Sequence, residues 1–109
     1  MVEYTLNLDS VFGSLADPTR RDILRRLTGQ ELSVSELAQP YDHLTLAAVS
    51  KHLKVLEKAR LIIKRRQGKQ QIVKLSPQTL AGATDYLEAY RQMWADRLDV
   101  LENYLMKEG

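Results

Sequence analysis

At 109 residues, 44% of them hydrophobic and 28% charged, the chain is expected to form one domain with a single modest core. It has no cysteine, which excludes disulfides, thiolate metal sites, cysteine nucleophiles and thiol redox switches. No run approaches the roughly 18 apolar residues of a membrane span. The net charge is only +2, yet residues 45–75 carry 9 Lys/Arg against 1 Asp/Glu, whereas residues 1–44 carry 4 against 7 and residues 76–109 carry 3 against 6. A cationic segment between two acidic ones is the footprint of a phosphate-binding surface; a solvated basic face is the bland alternative.

The N-terminal stretch MVEYTLNLDS has neither a basic n-region nor an apolar h-region, so no secretory leader is expected and the cytoplasm is the expected compartment. NLDSVFGSLA places Leu8, Val11, Phe12 and Leu15 on one face of a short helix. In DPTRRDILRRLTG, Asp17 can cap, Pro18 suits the first helical position, Ile23, Leu24 and Leu27 form the buried stripe, and Gly29 ends the helix. Its Arg20, Arg21, Arg25 and Arg26 are expected on a solvated face, with one or two within reach of phosphate.

In SVSELA, Ser33 followed three residues later by Glu36 is a capping box, with Val34 and Leu37 facing inward. After QPYDHL, Thr45 caps a longer helix in which Val49, Leu53 and Leu56 share one face. The period then changes. LIIKRRQ and QQIVKL are β-rich runs joined through Gly68-Lys69, a hairpin whose tip is Arg65, Arg66, Gln67, Gly68 and Lys69. Ser76-Pro77 opens a helix of about 30 residues in which Leu80, Ala83, Leu87, Tyr90 and Trp94, then Leu98, Leu101 and Leu105, form a seam. Such a seam is too long for this domain to cover, and a second copy of the chain is the cheapest partner.

This order is mainly α with a β-hairpin wing: a winged helix-turn-helix with a long C-terminal dimerisation helix, in one domain over 1–109. Residues 1–15 and 77–107 are expected to form the dimer interface, with Leu8, Phe12, Leu87, Tyr90, Trp94, Leu98 and Leu101 at its centre. The helix over 45–59 would lie in the major groove, which admits one α-helix, and the basic hairpin tip would meet the neighbouring backbone or minor groove. Few aromatics interrupt the basic segment, which favours duplex DNA over a stacking platform for single strands.

LADPTRRDILRRL, ELSVSELA, VSKHLKVLEKARLI, the basic wing and the Trp-bearing last helix together resemble the ArsR/SmtB family of bacterial repressors over nearly the whole chain. The resemblance implies a homodimeric repressor on an imperfect inverted repeat overlapping a promoter. It implies a reading segment of Thr45, Leu46, Ala47, Ser50, Lys51, His52 and Lys54. There Thr45 and Ser50 can hydrogen-bond, Lys51 and Lys54 supply charge, and Leu46 and Ala47 meet thymine methyls. His52 is either a groove contact or a half-buried hydrogen-bonding residue. In the wing it implies Arg65, Arg66 and Lys69. Arg60 departs from the family, which commonly has glycine there, and would be strained at positive φ.

The family's metal-sensing branch carries cysteines at the positions of Ser33 and Ser35. A serine hydroxyl is a poor ligand for soft ions, and the second family site of carboxylates and histidines finds Asp85, Glu88, Asp96 and Asp99 without either His43 or His52. No metal and no cofactor are expected. Tyr86, Tyr90, Met93 and Trp94, with Tyr4 and Phe12, form either ordinary dimer core or a pocket for an inducer that the sequence does not identify. Catalysis is not expected, because there is no cysteine, no His beside a Ser/Asp partner and no phosphate-cradling glycine loop. The alternative to a sequence-specific regulator is a winged-helix module that binds protein without reading DNA.

Overall fold

The first helix, α1 (Leu8–Ser14), begins where the Asn7 side chain accepts the N–H of Ser10 at 3.1 Å. The structure is a computed structural model that describes residues 7–107. Tyr4 and the first six residues of the expected 1–15 interface segment lie outside the described residues. In α2 (Pro18–Arg26) the Asp17 carboxylate accepts the N–H of Arg20 at 3.1 Å, Pro18 takes the first turn, and Ile23 and Leu27 are buried. Gly29 follows at φ +75, as expected of the stop.

A two-residue strand, β1 (Leu32–Ser33), was not anticipated. It lies antiparallel to the second strand of the hairpin, with Leu32 opposite Val73 and Ser33 opposite Ile72. Two residues carry no detectable period, so only the distant partner defines them as a strand. The capping box then starts α3 (Val34–Ala38): Glu36 N–H donates to Ser33 Oγ at 3.1 Å, and Ser33 N–H donates to Glu36 Oε1 at 2.9 Å.

Thr45 Oγ1 accepts the N–H of Ala48 at 3.0 Å and opens α4 (Leu46–Lys58), whose Val49, Leu53 and Leu56 have no exposed surface. The helix packs against α1, α2 and α3 on that face. It closes on Arg60 at φ 61, with Arg60 N–H donating to Glu57 O (2.9 Å) and Leu61 N–H to Leu56 O (3.0 Å). This pair of bonds, with buried Leu61 beside buried Leu56, is a Schellman stop in which an arginine holds the left-handed position that glycine usually takes.

The hairpin strands β2 (Ile62–Gln67) and β3 (Gln70–Leu75) pair from Ile62–Leu75 to Gln67–Gln70, completing a sheet of order β1-β3-β2. Gly68 has φ +64 and Lys69 does not share the sign, the pattern of a type II′ turn. Finally α5 (Pro77–Lys107) runs 31 residues, about 46 Å at 1.5 Å per residue. Only its first two turns reach the core, through Thr79, Leu80 and Ala83. The Phe12 and Tyr86 rings, 6.2 Å apart, are a further link between α1 and α5.

The arginines of α2 correct an expectation. Arg21 and Arg25 are exposed, but the four do not make up a merely solvated face. Arg20 and Arg21 donate to the last carbonyls of α1, at Ser14 O (2.6 Å) and Leu15 O (2.8 Å). Arg26 donates to Leu37 O (2.7 Å) and Glu36 O (2.9 Å) at the end of α3 and lies 5.5 Å over the Tyr41 ring. Arg25 pairs with Asp22. Helix C-termini leave carbonyls without intrahelical partners at the negative end of the dipole, and a guanidinium fork satisfies both needs.

Candidate nucleic-acid interface

With Val49, Leu53 and Leu56 turned inward, the 3.6-residue period carries Ala47, Lys51, Lys54, Val55 and Lys58 to the outer face of α4, and all five are exposed. Thr45, Ala47, Ala48, Ser50, Lys51 and Lys54 line one shallow open depression. The fold thus gathers five of the seven expected reading residues at the start of the helix. Leu46 is beside them, 60% exposed. An aliphatic side chain so placed at a helix N-terminus gains nothing from the domain's own core.

His52 points elsewhere. Its Nδ1 lies 3.4 Å from Arg20 Nη1 and 3.9 Å from Asp17 Oδ2, with the side chain 20% exposed. The side chain is thus half-buried and hydrogen-bonded to the start of α2. The Asp17 carboxyl is held below the usual carboxylate range chiefly by the Arg20 backbone N–H.

Val55 and Lys58 had not been singled out. Both continue the outer stripe one turn beyond Lys51 and Lys54, and the 4-3-4 spacing of residues 47, 51, 54 and 58 was a signal already legible in the sequence.

At the wing, Arg65 is exposed but committed. Its Nη2 donates to Glu31 Oε2 at 2.7 Å and to Gln67 Oε1 at 3.3 Å. The hydrogen bond holds the Glu31 carboxyl below its usual range and raises the Arg65 guanidinium. Arg66 donates to Gly68 O at 3.3 Å, across the turn, and Lys69 is exposed at its tip. Lys64 is directed inward, its Nζ 3.5 Å from Glu57 Oε1 of α4, which braces the wing against that helix.

Ser33 is buried and its hydroxyl is occupied with the α3 cap, while Ser35 is exposed. On α5, Glu88 pairs with Arg91, and Asp96 accepts a long hydrogen bond from Gln92. Among the described residues no three His, Cys, Asp or Glu side chains converge as a metal-binding group would require.

The expected seam of α5 is bare. Leu87, Tyr90, Trp94, Leu98 and Leu101 are 45–60% exposed, and Met93, Tyr104 and Leu105 extend the same apolar strip. The Tyr86 ring sits 5.1 Å from that of Tyr90 and 6.2 Å from that of Phe12, so three of the residues expected at a pocket or a dimer core come together, and Tyr4 lies outside the described residues. Leu8 and Phe12 of α1 are half-buried. No helix among the described residues is long and apolar enough to cross a membrane.

Residues 15–65 match a family described as a helix-turn-helix domain, a span that runs from α2 through α4 into the wing. Over 101 residues the chain is 37% identical to the HTH-type transcriptional regulator Rv2034 of Mycobacterium tuberculosis, covering 93% of this chain and 91% of that protein. It is 33% identical over 61 residues to the transcriptional repressor SdpR of Bacillus subtilis, covering 56% of this chain and 67% of SdpR. The crystal structure of an ArsR family transcriptional regulator, RHA00566, superposes with a TM-score of 0.75 at 33% identity, over 87% of this chain and 97% of that one.

Proposed function

This chain belongs to the ArsR family of winged helix-turn-helix transcriptional regulators, and from that premise we propose that it acts in the cytoplasm as a homodimeric repressor of an inverted-repeat operator. In this reading it does not respond to metals through cysteines, since it has none. DNA binding and regulation of transcription belong to the family, whose members are regulators and not enzymes.

One observation carries the reading: the depression at the N-terminal half of α4, where Thr45, Ser50, Lys51 and Lys54 come together on a face the core does not use. Two hydroxyls and two ammonium groups at the exposed start of a helix are suited to base edges and flanking phosphates. In our reading the wing, through Arg66 and Lys69 and then Arg65, meets the backbone or minor groove beside it. The bare strip of α5 supports the dimer: an apolar band of this length on one helix is what a symmetric partner would cover, with α1 of both copies alongside. A dimer presents two α4 helices and so matches an inverted repeat. The repressor SdpR, similar over 61 residues, supports repression as the mode of action.

The test is selection of bound duplexes from a random-sequence pool with the purified protein at moderate salt. Enrichment of an inverted repeat is the expected result. Recovery of a single half-site would overturn the dimer. Salt-sensitive retention with no motif would overturn sequence-specific reading and favour a protein-binding module.

A further inference from the structure

Arg20 stands where three elements meet. Its Nε donates to Ser14 O at 2.6 Å and its Nη2 to Gly13 O at 3.4 Å, both at the end of α1, while its Nη1 lies 3.4 Å from His52 Nδ1 on α4. Its own backbone N–H is held by Asp17, the cap of α2. A guanidinium has five donors and no acceptor, so its contact with the imidazole requires Nδ1 to accept. A neutral imidazole that accepts at Nδ1 carries its proton on Nε2. The Asp17 carboxylate faces the same Nδ1 from 3.9 Å, beyond hydrogen-bonding distance, so the nearer guanidinium favours the Nε2–H tautomer of His52. That imidazole shares an open depression with Arg20, Ala48, Lys51 and Val55, beside the exposed Lys51 of the outer stripe.

We propose that His52, held by Arg20 as the Nε2–H tautomer, donates to a DNA backbone phosphate next to Lys51, and that Arg20 is the positioning residue for this contact. The inference rests on α4 being the helix that meets DNA, and it deepens that reading by assigning His52 to phosphate and not to a base edge. A phosphate contact fixes register and contributes affinity to every sequence alike. Arg20 acts only through His52: its guanidinium is already spread over two carbonyls and the ring. The same strap ties the end of α1 to α4, so the imidazole is aimed by helix packing and not by its own rotamer preference.

Two measurements test it. In the free protein, nitrogen chemical shifts of His52 at about pH 8.5, where an ordinary imidazole is neutral, should show a bare Nδ1 and a protonated Nε2; a proton on Nδ1 overturns the proposal. For binding, the probe is a fluorescein-labelled mixed-sequence duplex of about 30 base pairs, read by anisotropy at low salt. His52→Gln, whose amide nitrogen stands near the place of Nε2, should keep affinity within about twofold, while His52→Asn and His52→Ala lose about fivefold to tenfold. Arg20→Gln should lose as much alone and add nothing to His52→Ala. Equal behaviour of the Gln and Asn variants overturns the assignment, as does an undiminished loss from Arg20→Gln in the His52→Ala background. The His52 arms stand even where an Arg20 variant folds poorly. Lys51→Ala separates the two readings. Should it weaken binding while the His52 variants do not, only this inference falls; should binding ignore Lys51 as well, the reading of α4 falls with it.

Discussion

Arg65 Nη2 lies 2.7 Å from Glu31 Oε2, so one of the three cations expected at the wing is already paired with an acid from the segment before β1. The two residues are 34 positions apart and are joined by the pairing of β1 with β3, which brings the end of α2 to the side of the hairpin. For Arg65 to serve DNA it must share or leave that carboxylate, whereas Arg66 and Lys69 face no such competition in the ion pairs of the described residues.

Arg66→Ala should therefore weaken duplex binding more than Arg65→Ala, by about fivefold against twofold at low salt. Glu31→Gln should strengthen it about twofold, with the gain vanishing at high salt. Anisotropy titrations across salt concentrations check this; equal losses from the two arginines would show that the ion pair does not compete. The pH dependence has a definite sign. The Glu31 carboxyl is lowered in the folded protein, so the pair's contribution is complete above the ordinary carboxylate range and is lost as pH falls through the folded value.

Arg60 holds the glycine position of the α4 stop at φ 61, where a Cβ costs about 1 kcal/mol. Arg60→Gly should raise the melting temperature by about 4–8 °C. Arg60→Ala, which keeps the Cβ, should not. Thermal unfolding followed by circular dichroism distinguishes them, and a gain common to both would point to the arginine side chain and not to its backbone.

Tyr41 is buried and its hydroxyl donates to the Asp22 carboxylate. That bond, followed by the one from Arg25, holds the Asp22 carboxyl below its usual range. A depressed carboxyl stabilises the fold above its unfolded pKa of about 3.9 and loses that contribution as pH falls through the folded value. Tyr41→Phe should cost about 1 kcal/mol near pH 7 and show a shallower acid limb, so that the two stability curves converge once the folded Asp22 carboxyl is protonated. Urea unfolding at stepped pH tests it; curves that stay parallel into acid would rule out the Asp22 linkage.

The bare strip of α5 makes a third kind of prediction. Leu98→Asp combined with Leu101→Asp should convert the proposed dimer to a monomer in light scattering after size exclusion, because each buries a charge in an apolar seam. Helix content of residues 7–75 should survive, since α5 beyond Ala83 contributes little to the domain core. Loss of sequence-specific affinity should accompany dissociation. An unchanged mass would place any interface elsewhere.

Much of this protein was legible in its sequence because the signals are local. Asp17, Ser33 and Thr45 each accept the N–H three residues on, as their residue types and the following apolar spacing required. Val49, Leu53 and Leu56 are buried because a 3.6-residue period puts them together. Gly68-Lys69 turns the hairpin, and the excess of cations in 45–75 ends up on the outer faces of α4 and the wing. The same period contained Val55 and Lys58, which were overlooked.

Other features have no local signal. The strand β1 is two residues long and exists only because β3 is there to pair with it. The α2 arginines became helix clamps because packing placed the carbonyl ends of α1 and α3 within reach of a guanidinium. His52 meets Arg20 across 32 residues, and Glu31 meets Arg65 across 34. Caps, periods and turns depend on neighbours within about four positions, so sequence by itself determined the elements, their order and the outward cationic surface. That Arg65 of the wing is paired with Glu31, and that a guanidinium stands against the His52 ring, depends on side chains that only the packed helices and the three-stranded sheet bring to hydrogen-bonding distance. Those points the tertiary structure alone decided.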